Sequence, residues 1–206
     1  MPITIGGVEV HLVAGVLRWT CGMAIDADGA PTAYAPVGAG LKPLDYLANA
    51  GKPGHWWGIV ANSAGVPYVQ QARDPAPGYY ISPTALVDRK FSERDPRRYV
   101  DASRVPYIAI PRELKQLGAK LGDVALVTYR DRSSAAIVAD IGPRGKVGEG
   151  SPALAAALGI NPSARNGGAG AGVSYALFLG SNCGWPRTIA EVAAQVSVLA
   201  QPLIVA

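Results

Sequence analysis

Asp123-Val124-Ala125-Leu126-Val127-Thr128-Tyr129-Arg130-Asp131-Arg132-Ser133-Ser134-Ala135-Ala136-Ile137-Val138-Ala139-Asp140 is the stretch on which the reading of this chain turns. Two apolar and β-branched runs, 123–129 and 134–140, flank the polar segment Arg130 to Ser133, which is the pattern of a β-hairpin. Upstream, Tyr107-Ile108-Ala109-Ile110 is a short apolar strand stopped by Pro111, and Arg112 to Leu117 reads as a helix ended by Gly118. Downstream, Ser151 to Gly159 places a capping Ser, Pro at the first helical position, strong helix formers and a closing Gly. A Gly-rich loop from Gly167 to Gly172 leads into a strand over 173–179. Thr188-Ile189-Ala190-Glu191 then forms a capping box for a last helix to about Leu199. The first hundred residues are cut by Gly and Pro into short strands and ordered loops, with Ile59-Val60 and Gly78 to Ser82 as strand fragments and Leu44 to Ala50 as one or two helical turns.

Composition bounds the class. The 206 residues are 49% hydrophobic and 17% charged, so the chain can build a core. Its 25 Gly and 17 Pro have no period, and together they point to a mostly β and loop chain in a single domain over 1–206, with no linker or internal repeat. A net charge of +4 with no Lys/Arg block longer than two argues against a nucleic-acid partner. No apolar run is long enough for a membrane partner, and the first residues carry no secretory-leader pattern. The Gly-rich loop lacks the Lys of a phosphate loop, which argues against nucleotide binding. With only His11, His55, Cys21 and Cys183, metal-ligand spacing is missing and a Ser-His-Asp or Cys-His hydrolase is disfavoured. No metal and no cofactor are expected, and the two cysteines are read as buried free thiols, with pairing as the alternative.

Most acidic residues have plain roles. Asp88, Glu93, Asp95 and Asp131 lie among arginines as solvated surface groups, and Asp101 and Asp123 precede strands in turns. Asp140 and Glu149 stand apart. Asp140 ends the apolar run Ile137-Val138-Ala139 at a turn, the setting in which burial raises a carboxyl into the range of a general acid. Glu149 lies between Gly148 and Gly150, open to a ligand. The Gly/Pro-rich excursion between them can fold back to bring both into one cleft, as glycoside hydrolysis requires. The same two residues also suit a turn cap and a helix N-terminus.

Ala139-Asp140-Ile141-Gly142-Pro143, Val147-Gly148-Glu149-Gly150-Ser151 and Leu154 to Ile160 together resemble the catalytic segment of glycoside hydrolase family 75, the fungal-type chitosanases. Two upstream blocks, Gly22 to Gly29 and Val105 to Pro111, are similar to the family in the same order, so the resemblance spans most of 19–180, with the catalytic segment at about 123–180. It implies a β-rich α+β fold, a single domain around a six-stranded double-psi-like β-barrel with a few short helices. It also implies extracellular, inverting endo-attack on a β-1,4-linked glucosamine polymer, chitosan. Asp140 and Glu149 inherit the catalytic pair, Asp140 as acid and Glu149 as base, about 6.5–9.5 Å apart. Asp26-Ala27-Asp28-Gly29 is too short for a calcium loop and reads as a turn, but the resemblance places this block near the cleft and makes Asp26 and Asp28 substrate contacts. Trp56, Trp57, Tyr79 and Tyr80 are candidates to stack on sugar rings. Because chitosan is a polycation and the chain is basic, two other readings stay open: a muramidase or lytic transglycosylase acting on peptidoglycan from the same barrel, and an inactive carbohydrate-binding module.

Overall fold

A computed structural model describes residues 2–204. In chain order its elements are β1 (Ile3–Ile5), β2 (Val8–Val13), β3 (Val16–Ile25), β4 (Gly51–Lys52), β5 (His55–Trp56), β6 (Tyr107–Ile110), α1 (Arg112–Gln116), β7 (Val124–Tyr129), β8 (Arg132–Ile141), β9 (Glu149–Gly150), α2 (Pro152–Ala157), β10 (Ala169–Phe178) and α3 (Ile189–Ile204). Six strands close into a barrel in the order β3-β10-β7-β8-β6-β9 and back to β3. Four of its six joints are antiparallel, while β6–β8 and β3–β9 are parallel, which gives the barrel its double-psi-like character. β1 and β2 extend the sheet outside the barrel along the first half of β3, and β9 takes the second half of the same edge.

The elements read around the hairpin form as their residues dictate. β6 spans Tyr107–Ile110 and is buried throughout. Ser151 caps α2 by accepting the Leu154 N–H, with Pro152 following. Thr188 and Glu191 cap α3 reciprocally, the Glu191 N–H donating to Thr188 Oγ1 and the Thr188 N–H to Glu191 Oε2. The hairpin turn is tighter than its composition suggests, because Arg130 takes a left-handed φ of 55° and Arg132 and Ser133 join β8. β10 begins at Ala169, inside the Gly-rich loop.

The first hundred residues are the larger departure. They contain the ten-residue β3, which pairs with three other strands and was not legible as a strand. Its sequence, Val-Leu-Arg-Trp-Thr-Cys-Gly-Met-Ala-Ile, alternates inward and outward only in its first half. The segment 78–82 forms no strand: it carries an isolated bridge from Tyr80 to Val69 and loop backbone bonds to Tyr34, Val60, Tyr68 and Gln70. Leu47–Ala50 is a single 3-10 turn.

The barrel core stacks Leu17, Trp19 and Met23 of β3 against Val173, Tyr175 and Leu177 of β10, with Ile108, Val127 and Val138 filling the rest. Trp19 and Tyr175 are register partners whose rings stack at 4.9 Å. α3 lays Val192, Val196 and Ala200 on the outside of the barrel over Val16, Val124 and Phe178. A second core of small residues, among them Ala27, Ala30, Ala33 and Ala102, packs with Tyr34 and Tyr107 beneath the long loops. Those loops are anchored at one mouth of the barrel, where the carboxylates collect.

Candidate active site

The parallel joint β6–β8 and the antiparallel joint β6–β9 meet at one residue. Ala109 is the register partner of Asp140 on one side and of Glu149 on the other, and Glu149 is in turn opposite Ala24 of β3. Residues directly opposite one another share a face of the sheet, so Ala24, Glu149, Ala109 and Asp140 form one row. Two strand spacings set the Asp140 and Glu149 backbones about 9.5 Å apart. The bulge between Ile108 and Ala109 skips Ala139 and thereby turns Asp140 to this row. Gly142 follows on the same strand end. A Cβ there would collide with Glu149 Oε2, so the Glu149 side chain leans across Ala109 toward the end of β8.

Asp140 Oδ1 accepts the N–H groups of Ala85 (2.9 Å) and Ile141 (2.8 Å). Burial outweighs these bonds and, with the Glu149 charge, pushes its carboxyl up to about 6. Glu149 Oε1 accepts from Lys146 Nζ at 2.7 Å, and the Glu149 side chain is only 13% exposed.

β3 ends at Ile25 and delivers Asp26 beside this row, the Asp26 N–H donating to the Gly150 carbonyl. Asp26 Oδ1 accepts the Asp28 N–H, the turn expected of Asp-Ala-Asp-Gly. Asp28 Oδ1 accepts from Tyr34 (2.7 Å) and Ser82 (3.2 Å), and the Tyr107 hydroxyl donates to the carbonyls of both Asp26 and Asp28. Burial first, then the charge of Asp140, lifts Asp28 to about 8 against the lowering effect of Tyr34 and Ser82. Burial and the neighbouring charges of Asp28, Asp140 and Glu149 hold Asp26 well above the ordinary carboxylate range. Carboxylate oxygens of Asp26, Asp28 and Asp140 all lie within 4.8 Å of one another. Such a set can share protons or close on one hard divalent cation.

These residues line a cleft of about 820 Å³. Its walls carry five carboxylates, Asp26, Asp28, Asp45, Asp140 and Glu149, against two bases, Lys146 and Arg165. The cleft is therefore rich in acidic side chains although the chain as a whole is basic, and burial keeps the protons on Asp26 and Asp28 toward neutral pH. Asp45, just before the 3-10 turn, and Asn49 within it enter together, the Asn49 Nδ2 donating to Asp45 Oδ1 at 2.8 Å, and Arg165 is held by the Pro43 carbonyl over the Tyr46 ring. None of Tyr34, Asp45, Asn49, Lys146 and Arg165 was singled out from the sequence. Their only local signals were short polar insertions among small residues, which many surface loops share.

Of the four aromatics, Trp57 lines the cleft and is 65% exposed, its ring fixed by an Nε1 bond to the Asn49 carbonyl. Trp56, Tyr79 and Tyr80 do not line it. Trp56 and Tyr80 pack against the small-residue core, and the Tyr79 hydroxyl is used on the Lys42 backbone. Two acids read as exposed or simply turn-forming are buried: Asp88 accepts the Lys90 N–H, and Asp123 accepts from the Lys120 and Asn182 backbones. Cys21 and Cys183 are both free thiols, but they are not both buried: Cys21 is half-buried, which pushes its thiol up to about 11, while Cys183 is exposed in the loop after β10. Among the described residues no helix is long and apolar enough to cross a membrane. The chain matches no protein-family model and no curated protein.

Proposed function

We propose that this protein is an endo-acting glycoside hydrolase that cleaves β-1,4-linked glucosamine polymer by inversion. The observation that carries the reading is the pair Asp140 and Glu149, fixed on either side of Ala109 at the floor of an acidic cleft. Asp140, with its carboxyl near 6, is suited to hand a proton to the leaving glycosidic oxygen. Glu149, one strand beyond Ala109, is suited to take a proton from a water that attacks the anomeric carbon from the opposite face. Bond breaking and water addition then balance, and both carboxyls end with their protons exchanged. The two backbones stand two strand spacings apart, about 9.5 Å, with both side chains on the row that Ala109 joins, the shared placement a two-carboxyl mechanism needs.

The polar groups of the cleft support an amino-sugar substrate. The cleft gathers five acidic side chains, and because burial keeps the protons on Asp26 and Asp28 toward neutral pH, these two meet a sugar amine or hydroxyl as hydrogen-bonding carboxyls rather than as counter-charges. Trp57 offers an exposed, fixed ring for stacking on a sugar face.

The test is reducing-end release from chitosan and from peptidoglycan by the wild type, Asp140→Asn and Glu149→Gln. Loss of chitosan cleavage in both variants is the expected result. Loss confined to Asp140→Asn with anhydro-sugar products from peptidoglycan points to a transglycosylase instead, and binding without turnover in the wild type points to a module. Full activity in both variants removes the assignment of the pair.

A further inference from the structure

We propose that Lys146 is the positioning residue that makes Glu149, and not Asp140, the base of the pair; this rests on the glycosidase reading. Lys146 Nζ donates to Glu149 Oε1 at 2.7 Å. Oε2 accepts no hydrogen bond from the described residues and lies over Gly142, where only the absence of a Cβ makes room for it. The ammonium thus ties down one oxygen and leaves the other to take a proton from water.

Several carboxyls meet around this row, and like charges so close do not all ionise. Glu149 faces Asp140 from β8 and Asp26 from the end of β3, with Asp28 behind them. From β10 and β3 it meets only neutral groups, the Tyr175 hydroxyl and, behind Gly148, the Cys21 thiol, both of which donate to the Gly22 carbonyl. Among the described residues Lys146 is the only base paired with a carboxylate of the cleft. Arg165, the other base on its walls, donates to the Pro43 carbonyl instead. Asp140 has two backbone N–H partners and no ion pair, and burial carries its carboxyl up to about 6. A positive charge on one member of a carboxyl pair keeps that member ionised, so the shared proton settles on the other.

The fold holds Lys146 from both sides. Its N–H donates to the Pro143 carbonyl, closing a turn, and Val147 after it packs on the barrel core. The Gly148 carbonyl then accepts the Ala24 N–H, which fixes the segment to β3. Before it, the Gly145 carbonyl lies so close to Gly6, in the turn between β1 and β2, that a Cβ on Gly6 would collide with it. The Lys146 side chain itself is half in solvent, so its charge can be removed without opening the core.

The test compares the full chain as wild type, Lys146→Met and Lys146→Arg. The Glu149 carboxyl is followed against pH by carbon-13 NMR in protein labelled at its five glutamates, its signal assigned by loss in Glu149→Gln. In parallel, kcat/KM is read against pH on a soluble glucosamine oligomer. In Lys146→Met the Glu149 signal should titrate about half a pH unit higher than in wild type, the scale of a partly exposed ion pair, and in Lys146→Arg within about 0.2 unit of it. The same shift lowers kcat/KM of Lys146→Met about threefold at the acid end of the profile, and the loss should fade toward the basic limb set by Asp140. An unshifted Glu149 signal, equal shifts in the two variants, or a loss of the same size at every pH overturns the positioning role and leaves the hydrolase intact. No cleavage by the wild type overturns the hydrolase reading and the part of Lys146 in it.

Discussion

Asp140 and Glu149 are neighbours through a third residue: each is the register partner of Ala109, one across a parallel joint and the other across an antiparallel one. Nine positions apart in sequence, they are held by the sheet itself rather than by the loop between them. Their spacing is therefore as rigid as the barrel, and it should survive changes in the 143–148 loop that leave Gly142 and Lys146 in place.

The first prediction concerns pH. A general acid must carry its proton, and the Asp140 carboxyl titrates near 6. Above that pH the protonated fraction falls tenfold per unit, so kcat/KM on chitosan should decline along a basic limb that begins at about pH 6. Asp140→Asn should lower kcat by about 10²–10⁴-fold at pH 5. A wild-type profile still rising between pH 6 and 8 would show that Asp140 is not the acid.

Gly142→Ala should damage activity more than stability. Its methyl group would have to occupy the place of the Glu149 carboxylate, displacing the side chain from its lean across Ala109. A shift of about 1 Å at a reacting group costs on the order of 10²-fold in rate. The melting temperature should change little, because Glu149 can swing out toward the open cleft. Activity within twofold of wild type would contradict the geometry described for Glu149.

Stability should fall as pH rises. Folding raises the carboxyls of Asp26, Asp28 and Asp140, so the native state keeps protons that the unfolded chain has already released above about pH 4. By linkage, these groups leave the fold unpenalised below the unfolded value and cost it increasingly as pH climbs toward the folded values, about 6 for Asp140 and about 8 for Asp28. The difference between pH 5 and pH 8 should be on the order of a few kcal/mol, read from urea midpoints. Asp28→Asn keeps an acceptor for Tyr34 and Ser82 while removing the charge, and should flatten the slope. A protein more stable at pH 8 than at pH 5 would overturn this account.

The adjacent tryptophans should separate. Trp57→Ala should raise KM for long oligomers by about fivefold, given a stacking contribution on the order of 1 kcal/mol, and leave the melting temperature nearly unchanged, because its ring is exposed. Trp56→Ala should instead cost stability on the order of 2 kcal/mol or more, since its ring packs on the small-residue core and its Nε1 donates to the Gly65 carbonyl. Measured kcat, KM and thermal unfolding of the two variants side by side decide it.

The sequence by itself determined the local pieces. The apolar and β-branched runs 123–129 and 134–140, the buried apolar run of β6, and the caps at Ser151 and Thr188 are nearest-neighbour effects, and each element formed within two residues of where those effects placed its start. Asp140 and Glu149 were visible because a carboxylate at a strand end and another between two glycines break the local pattern. The tertiary structure decided the rest. β3 is a strand because β2, β9 and β10 satisfy its backbone, partners supplied from both ends of the chain. Asp26 and Asp28, more than a hundred residues from Asp140, join it only because barrel closure brings the end of β3 to the end of β8. The net +4, read as evidence about the substrate, was an average over a surface. Closure gathers five of the fifteen acids around one cleft, and their burial and mutual proximity raise the carboxyls of Asp26, Asp28 and Asp140, which no count of charges along the chain can reveal.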